Sequence, residues 1–295
     1  MTACADPPPV TPAPYPETGL VLLSLRDGTR VASASIGSDL VAVIVSEDGK
    51  TAYLADSAPG DVYAVRVPSL QVAWKQHVGG APFGLLLHQK RLFVSLFSAA
   101  SVMELDPSNG KSLATNPVPQ GPAAMTEDAG GHVVVAGTGG ELSVLGGDSV
   151  AAGNGFGVAE VGGRLWSADY KRSELVPAGD DHRVRLPLPV FPFWLAPGAG
   201  TSLLIAAEGG TEDTDPGGVF SFDTVSGSFQ ILATPKDPDQ VLFAGSTIYV
   251  AAHGDQDVLA IKSGLRKVWA SGAAAVGLAA DPALGFLVVA VNAHE

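Results

Sequence analysis

Residues 46–67, SEDGKTAYLADSAPGDVYAVRV, decide the fold of this chain. The stretch runs from a turn into the apolar segment TAYLAD, through a second turn at Pro59-Gly60, and into the segment DVYAVRV. Short runs of β-branched, aromatic and other apolar residues bounded by Gly, Pro and Asp are typical of strands joined by tight connections. We therefore predict two adjacent antiparallel strands here.

The same pattern recurs along the whole chain. Six further segments match TAYLAD, namely RLFVSL (91–96), HVVVAG (132–137), RLWSAD (164–169), SLLIAAE (202–208), TIYVAAH (247–253) and FLVVAVN (286–292). Each follows a turn and a short apolar segment, and all but the last precede a third apolar segment. The segments that open the units, from Leu40 to Val276, recur about every 39 residues. That period fits four short strands and their turns, which is one blade of a β-propeller.

The seventh unit stops after its second strand, and the missing pair lies at the other end of the sequence. Residues 19–37 have the pattern of a third and a fourth strand and precede the first complete unit. Joining the two ends closes the ring and removes exposed sheet edges, which would otherwise pair with other chains. We predict an all-β, seven-bladed propeller over residues 19–295, with a closing blade shared by about 19–37 and 274–295, and we expect a monomer.

The repeat unit also resembles the YVTN-type β-propeller repeat. The resemblance is clearest at Asp48-Gly49-Lys50 with Tyr53-Leu54-Ala55-Asp56, and it extends to YVAA (249–252) and VMELD (102–106). It is weakest in GTGGELSV and KRSELVPAG of the third and fourth units. Similar repeats occur in extracytoplasmic bacterial binding proteins, and the wider seven-bladed group includes lactonases and a streptogramin lyase. The resemblance implies a propeller and leaves its activity open.

Composition narrows the classes of partner. The 295 residues are 46% hydrophobic and 16% charged, which is a globular composition. A formal net charge of −13 would repel a phosphate backbone, so we expect no nucleic-acid partner. Each apolar run is interrupted before it reaches the roughly 20 residues that a membrane helix needs.

The first 18 residues are rich in proline and poor in aliphatic side chains, which predicts an extended tether without a core. Cys4, the only cysteine, follows Thr2 and Ala3 as the acylated cysteine of a bacterial lipoprotein follows small residues. A lipid anchor at Cys4 would place the protein outside the cytoplasm, in the periplasm or at the cell surface, and would be its only membrane contact. The alternative is a free thiol on a flexible terminus.

Common catalytic motifs are missing from the sequence. It contains no G-x-S-x-G, H-E-x-x-H or P-loop pattern and no cysteine pair. The glycine-rich segments GTGG (137–140) and GNGFGV (153–158) lead into strands, whereas a dinucleotide loop leads into a helix. These observations favour a binding protein over an enzyme.

One connection is strongly acidic. The segment EGGTEDTDPGG (208–218) carries Glu208, Glu212, Asp213 and Asp215, and clustered carboxylates are ligands that calcium prefers. It lacks the spacing of an EF-hand loop. The alternative is a solvated acidic loop on the surface of an acidic protein.

Propeller geometry predicts which strand ends meet. The connections from second to third strands and those that enter first strands emerge on one face, around the mouth of the central channel. Residues sorted to this face are Asp56, Asp61, Asp169, Tyr170, Glu208, Asp239, His253, Asp255, Asn292 and His294, with Phe83, Phe193 and Trp194 at the starts of first strands. From this set we predict a ligand site formed by Asp56, Asp169, Tyr170, Glu208, His253, Asn292, Trp194 and Phe83. The alternative is a chance gathering of polar loop residues.

Two functions remain open. The first is a non-enzymatic extracytoplasmic binding or scaffold protein that uses the acidic face for a cation, foremost calcium, for a small molecule or for a protein partner. The second is a metal-assisted enzyme of the lactonase or lyase kind, with His253 or His294 as general base. By contrast, we expect His88, His132 and His182 in surface turns of the opposite face, and Tyr53, Phe93, Trp166 and Tyr249 between blades.

Overall fold

The computed structural model describes residues 13–210, 215–281 and 285–293. Within these ranges, 28 strands form seven four-stranded antiparallel sheets arranged as a β-propeller. The only helical segments described are two single turns, Phe97–Ala99 and Tyr170–Arg172. The seven-bladed, all-β fold predicted from the repeats is therefore confirmed.

The strands follow the repeats in chain order. Two strands, β1 (Thr18–Ser24) and β2 (Arg30–Ser35), precede the first complete blade. Blade 1 contains β3 (Leu40–Val45), β4 (Thr51–Asp56), β5 (Asp61–Arg66) and β6 (Gln71–His77). Blade 2 contains β7 (Pro82–His88), β8 (Arg91–Leu96), β9 (Ser101–Leu105) and β10 (Ser112–Pro117). Blade 3 contains β11 (Pro122–Glu127), β12 (Val133–Gly137), β13 (Glu141–Val144) and β14 (Ser149–Ala151).

The remaining blades repeat this order. Blade 4 contains β15 (Val158–Val161), β16 (Arg164–Asp169), β17 (Glu174–Pro177) and β18 (Val184–Arg185). Blade 5 contains β19 (Phe191–Pro197), β20 (Ser202–Glu208), β21 (Gly218–Asp223) and β22 (Phe229–Ala233). Blade 6 contains β23 (Pro238–Ala244), β24 (Thr247–Ala252), β25 (Asp257–Lys262) and β26 (Leu265–Ser271). Blade 7 combines β27 (Ala275–Asp281) and β28 (Phe286–Asn292) with β1 and β2.

The closing blade joins the two ends of the chain as predicted. Strand β1 pairs antiparallel with β28 in seven residue pairs, from Thr18 opposite Asn292 to Ser24 opposite Phe286. Leu20, Val21, Leu22 and Leu23 are fully buried. Because each blade is covered by neighbours on both faces, its inner strands read as nearly continuous apolar runs, whereas outer strands such as β2 alternate between exposed and half-buried residues.

The four aromatic residues predicted between blades are buried. Tyr53, Phe93, Trp166 and Tyr249 are each at most 6% exposed. Each belongs to a core cluster that includes side chains of the following blade: Tyr53 packs with Leu85 and Leu92 of blade 2, for example. Among the three histidines predicted in surface turns, His132 and His182 are exposed, but His88 is not. Its side chain is 11% exposed and lies at the end of β7, where Nδ1 is 2.9 Å from a Glu127 carboxylate oxygen.

Candidate functional site

The second strands end in a common register. In six blades, one residue of the second strand pairs with the first-strand residue that precedes a β-bulge. These second-strand residues are Asp56, Leu96, Gly137, Ala207, Ala252 and Val291. The following residues occupy equivalent places, which we call the mouth positions: Ser57, Phe97, Thr138, Glu208, His253 and Asn292, with Tyr170 after the end of β16 in blade 4. Because successive side chains in a strand point to opposite faces, a mouth position and the residue before it face different surroundings.

A cavity of about 730 Å³ is lined by four of these mouth positions, Ser57, Phe97, Tyr170 and Glu208. Six aromatic residues line one part of it and form what we call the aromatic wall: Phe83, Phe97, Phe156, Tyr170, Phe191 and Phe193. Phe156 is central, because its ring contacts those of Phe193 at 5.0 Å, Tyr170 at 5.5 Å, Phe83 at 5.8 Å and Phe97 at 6.1 Å between centroids. Contacts of this kind stabilise aromatic clusters beyond simple burial.

Three carboxylates line the other part of the cavity and form the acidic wall: Glu208, Asp237 and Asp239. Each offers an oxygen, and the three oxygens lie within 4.8 Å of one another. The Tyr170 hydroxyl donates a hydrogen bond to Glu208 Oε2, which joins the two walls. Burial, together with the Glu208 carboxylate, raises the pKa of the Tyr170 hydroxyl well above its usual range, so Tyr170 is a neutral donor at pH 7. Lys171 also borders the cavity.

Two predicted residues, His253 and Asn292, lie behind the acidic wall. His253 is buried, with Nδ1 3.3 Å from Asp237 Oδ2 and Nε2 3.0 Å from the backbone oxygen of Asn292. Asn292 is fully buried, and its side-chain amide donates to Asp39 Oδ1 at 3.1 Å. Asp237 itself has a φ of 38°, in the left-handed region that few non-glycine residues adopt. His253 therefore holds Asp237 twice, because its backbone amide also donates to the Asp237 backbone oxygen at 2.9 Å.

Asp56, a predicted site residue, does not line the cavity. Its carboxylate is 1% exposed and accepts hydrogen bonds from the backbone amides of Asp39 at 2.6 Å and Ser38 at 3.2 Å. Asp56 is the last residue of β4, one position before the mouth position Ser57, which does line the cavity. The alternation of side chains therefore sends the Asp56 carboxylate into the turn that enters β3.

Asp169 and Trp194 also lie outside the cavity lining. Asp169 is 4% exposed, and its carboxylate accepts from Arg183 at 2.9 Å, so its charge is balanced within blade 4. Trp194 borders a narrower space of about 50 Å³, which shares Phe83, Phe193 and Asp239 with the cavity. Of the eight predicted ligand-site residues, Phe83, Tyr170 and Glu208 line the cavity itself.

The acidic loop contributes to the site mainly through its first residue. Glu208 is part of the acidic wall, and Asp215 lies against Gly210, which borders the cavity. Gly209 is required at the neck of this loop, because a Cβ there would lie 2.2 Å from the backbone oxygen of Pro216. Glu212 and Asp213, predicted as metal ligands, lie outside the described residues, as do His294 and Cys4.

Among the nine residues of the aromatic and acidic walls, sequence reasoning missed four: Phe97, Phe156, Phe191 and Asp237. The equivalence of mouth positions could have found Phe97, since it follows β8 as Glu208 ends β20. Phe156 lies in the connection before β15, and Asp237 immediately precedes Pro238, so neither belongs to a strand. Their place depends on how the connections fold over the channel mouth.

Asp257 begins β25 in blade 6, and its replacement is expected to stabilise the protein. Burial raises the pKa of the Asp257 carboxyl, as does nearby Asp255, and its Oδ1 is buried without a hydrogen-bond partner. The carboxylate form therefore destabilises the folded state above the raised pKa. The penalty disappears as the pH falls below the ordinary Asp value of about 4, where the group is protonated in both states.

We predict that Asp257→Asn raises the melting temperature at pH 7 by about 2 °C, the effect of ~1 kcal/mol in a domain of this size, and that the gain shrinks as the pH falls through the raised pKa and is absent below about 4. Asp61 is the matched control, because it begins β5 at the equivalent position and lies 2.7 Å from Lys75 Nζ. Burial alone would raise the pKa of Asp61, but hydrogen bonds from Lys75 and His77 hold this pKa below its usual range. Asp61→Asn should lower stability at pH 7; equal effects of the two substitutions would contradict this account.

Solved structures similar to this chain are propellers. BamB from Moraxella catarrhalis is 16% identical, with a TM-score of 0.57 over 96% of this chain and 94% of BamB. The Pseudomonas aeruginosa periplasmic gluconolactonase PpgL is 14% identical, with a TM-score of 0.63 over 94% of this chain and 97% of PpgL. The Swd1 β-propeller domain of Myceliophteria thermophila is 10% identical, with a TM-score of 0.65 over 87% of this chain and 97% of that domain.

At these identities the likeness shows the fold alone. No family model matches the sequence, and no curated protein matches it either, so the YVTN resemblance stays a prediction. Among the described residues, no helix has the length and apolar character needed to cross a bilayer. The comparisons therefore agree with the propeller fold seen in the sheet topology, and the neighbours include a gluconolactonase as well as BamB and Swd1.

Proposed function

We propose that this protein is a non-enzymatic binding propeller that holds a small molecule in the cavity at the mouth of its channel. The observation that carries the proposal is the cavity itself, in which an aromatic wall adjoins three converging carboxylates. Its volume of about 730 Å³ falls in the range of small-molecule sites. Such sites combine a mostly apolar lining with a few polar groups that orient the ligand.

The surroundings of His253 favour binding over catalysis. A general base needs a ring nitrogen that can reach a substrate proton. Both ring nitrogens of His253 already lie within 3.3 Å of oxygen atoms, one on Asp237 and one on Asn292. The residue is buried behind the acidic wall, where it is suited to positioning Asp237.

A metal-assisted activity is the second candidate, and the spacing of the acidic wall favours it. Oxygens that bind one calcium ion at 2.3–2.6 Å lie at most about 5 Å apart, and those of Glu208, Asp237 and Asp239 are within 4.8 Å. The Pseudomonas aeruginosa neighbour is a gluconolactonase by name. A lactonase-like or lyase-like reaction would use a cation at the acidic wall to polarise its substrate.

The location of the protein is also part of the proposal. We place it outside the cytoplasm, with the proline-rich segment as a tether and Cys4 as the lipid attachment point. The order of a cysteine, a spacer and a closed domain supports this arrangement. The closed ring also supports a monomer, because β1 and β28 pair with each other and leave no free edge between the chain ends.

We predict that water-soluble aromatic fragments bind the parent protein in ligand-observed NMR, and that Phe156→Leu weakens binding roughly tenfold, or about 1.4 kcal/mol. The reason is that Phe156 contacts four other rings of the aromatic wall. Phe243→Leu is the matched control, since Phe243 lies on β23 and borders a different cavity. Fragment binding that is the same in both variants would contradict the proposed site.

Thermal unfolding of the parent and of Glu208→Gln separates the second candidate from the first. If a divalent ion is the ligand, millimolar calcium or magnesium should raise the melting temperature of the parent and not that of Glu208→Gln. Fragment binding without any effect of these ions supports the small-molecule proposal.

A further inference from the structure

We propose that the ligand is an organic cation, a small ammonium compound with an aromatic or apolar body. This inference rests on the proposed function and names the chemistry of its ligand. The ammonium group would lie against Glu208, Asp237 and Asp239, and the body would lie against the aromatic wall. Three features of the cavity support it: its charge, its aromatic lining and the position of Asp239.

The charge of the cavity favours a cation. The acidic wall carries three carboxylates, whereas Lys171 is the one basic side chain among the described residues that line the cavity, and His253 contacts Asp237. Both ring nitrogens of His253 face oxygen atoms, so a doubly protonated ring satisfies both contacts. Even with both basic groups charged, the carboxylates exceed them by one. An anionic ligand would meet net repulsion, whereas a cation balances the charge.

The aromatic wall favours an organic ion over a bare metal ion. A hard metal ion takes oxygen ligands, so the five phenylalanine rings around the cavity would contribute nothing to its coordination. An ammonium group, by contrast, is attracted both to carboxylates and to the faces of aromatic rings. Tyr170 brings the two walls together, because its hydroxyl binds Glu208 while its ring stacks on Phe191 at 5.2 Å. One small ligand can therefore contact both walls.

The position of Asp239 is the strongest single indication. In the first strands of six blades, one residue directly follows the residue that pairs with the end of the second strand, before the β-bulge. In blades 1, 2, 3, 5 and 7 this residue is apolar: Val41, Phe83, Ala123, Phe193 and Val276. In blade 6 the same place holds Asp239. A carboxylate thus replaces an apolar side chain beside Phe83 and Phe193, at the point where the cavity narrows into the channel. A cationic group in the cavity would therefore meet a carboxylate at a place where five other blades present apolar side chains.

Three probes with the same ring but different charge test the inference: benzyltrimethylammonium, benzyl alcohol and benzoate. We expect isothermal titration calorimetry of the full chain to show that benzyltrimethylammonium binds at least tenfold more tightly than benzyl alcohol, and that benzoate does not bind. Asp239→Asn should weaken the binding of benzyltrimethylammonium at least tenfold and should change the affinity for benzyl alcohol by no more than about twofold. Glu208→Gln should act in the same direction and serves as a second variant. Asp255→Asn removes an exposed charge from the same face and keeps an oxygen that can accept the Lys236 backbone hydrogen bond, so it should change the affinity of neither probe.

The failure of this inference differs from the failure of the proposed function. Suppose that benzyl alcohol or benzoate binds as tightly as benzyltrimethylammonium and that Phe156→Leu weakens this binding. The proposal of a cationic ligand would then be wrong, while the cavity would remain a binding site. The absence of binding by all three probes would overturn both. Equal loss of cation binding in Asp239→Asn and Asp255→Asn would assign the effect to general surface charge and would also overturn the inference.

Discussion

A chain that lacks residues 19–37 is expected not to fold into a monomer with a cooperative thermal transition. This deletion removes β1 and β2, and with them the pairing of β1 to β28 across the closing blade. It also removes four fully buried side chains, Leu20 to Leu23, which pack into two core clusters, one shared with blade 1 and the other with blade 6. Burial of four such side chains contributes roughly 6–12 kcal/mol, which is comparable to the total stability of a typical domain.

Size-exclusion chromatography and circular dichroism would measure this result, and a peptide spanning residues 13–37 provides the complementary test. Added to the truncated chain, the peptide should restore the melting transition, because it carries the missing strands. Leu22→Ala is the milder version, with an expected loss of about 2–5 kcal/mol, whereas Val31→Ala on the half-exposed outer strand should change stability by at most about 0.5 kcal/mol. A truncated monomer with the melting temperature of the parent would show that blade closure does not stabilise the fold.

Asp56→Ala is expected to lower the melting temperature by about 5 °C without weakening the binding of the ligand. The Asp56 carboxylate is buried and accepts backbone hydrogen bonds from Ser38 and Asp39, so its removal leaves these amides without their acceptor. A loss of this kind costs about 2 kcal/mol. Thermal unfolding measures the first effect, and titration with benzyltrimethylammonium measures the second.

Asp48→Ala is the control for Asp56→Ala. Asp48 also accepts a backbone amide hydrogen bond, from Lys50 at 3.1 Å, but it is exposed to solvent, so water replaces the lost contact and the effect should be smaller. The opposite result for Asp56, a stable variant that no longer binds the cation, would return Asp56 to the ligand site and would contradict the placement described above.

The fold was predictable because its determinants are local and repeated. Each unit carries its own turn residues and apolar strands, and seven copies at a spacing of about 39 residues leave little choice of architecture. The shared closing blade was also predictable, since the seventh unit lacks the two strands that residues 19–37 supply. Burial of Tyr53, Phe93, Trp166 and Tyr249 followed from their equivalent positions in the second strands.

The candidate site was only partly predictable, and Asp56 and Glu208 show why. Both stand at the end of a second strand, and the sequence does not reveal that they differ by one position in register. Because side chains alternate between the two faces of a strand, that single position decides whether a carboxylate enters the cavity or a buried turn. The pairing at the β-bulge sets the position, and it is a property of the folded sheet.

The sequence by itself determined the seven blades, the face on which polar strand ends gather, and the negative charge of the chain. Only the tertiary structure decided which residues form one cavity, since Phe156 precedes blade 4, Glu208 ends β20 of blade 5 and Asp239 lies in blade 6, far apart in the chain. It also decided that Asp237, held by His253 in a left-handed conformation, joins them. Distances between blades depend on the packing of whole sheets around the channel, and no local pattern of residues encodes them.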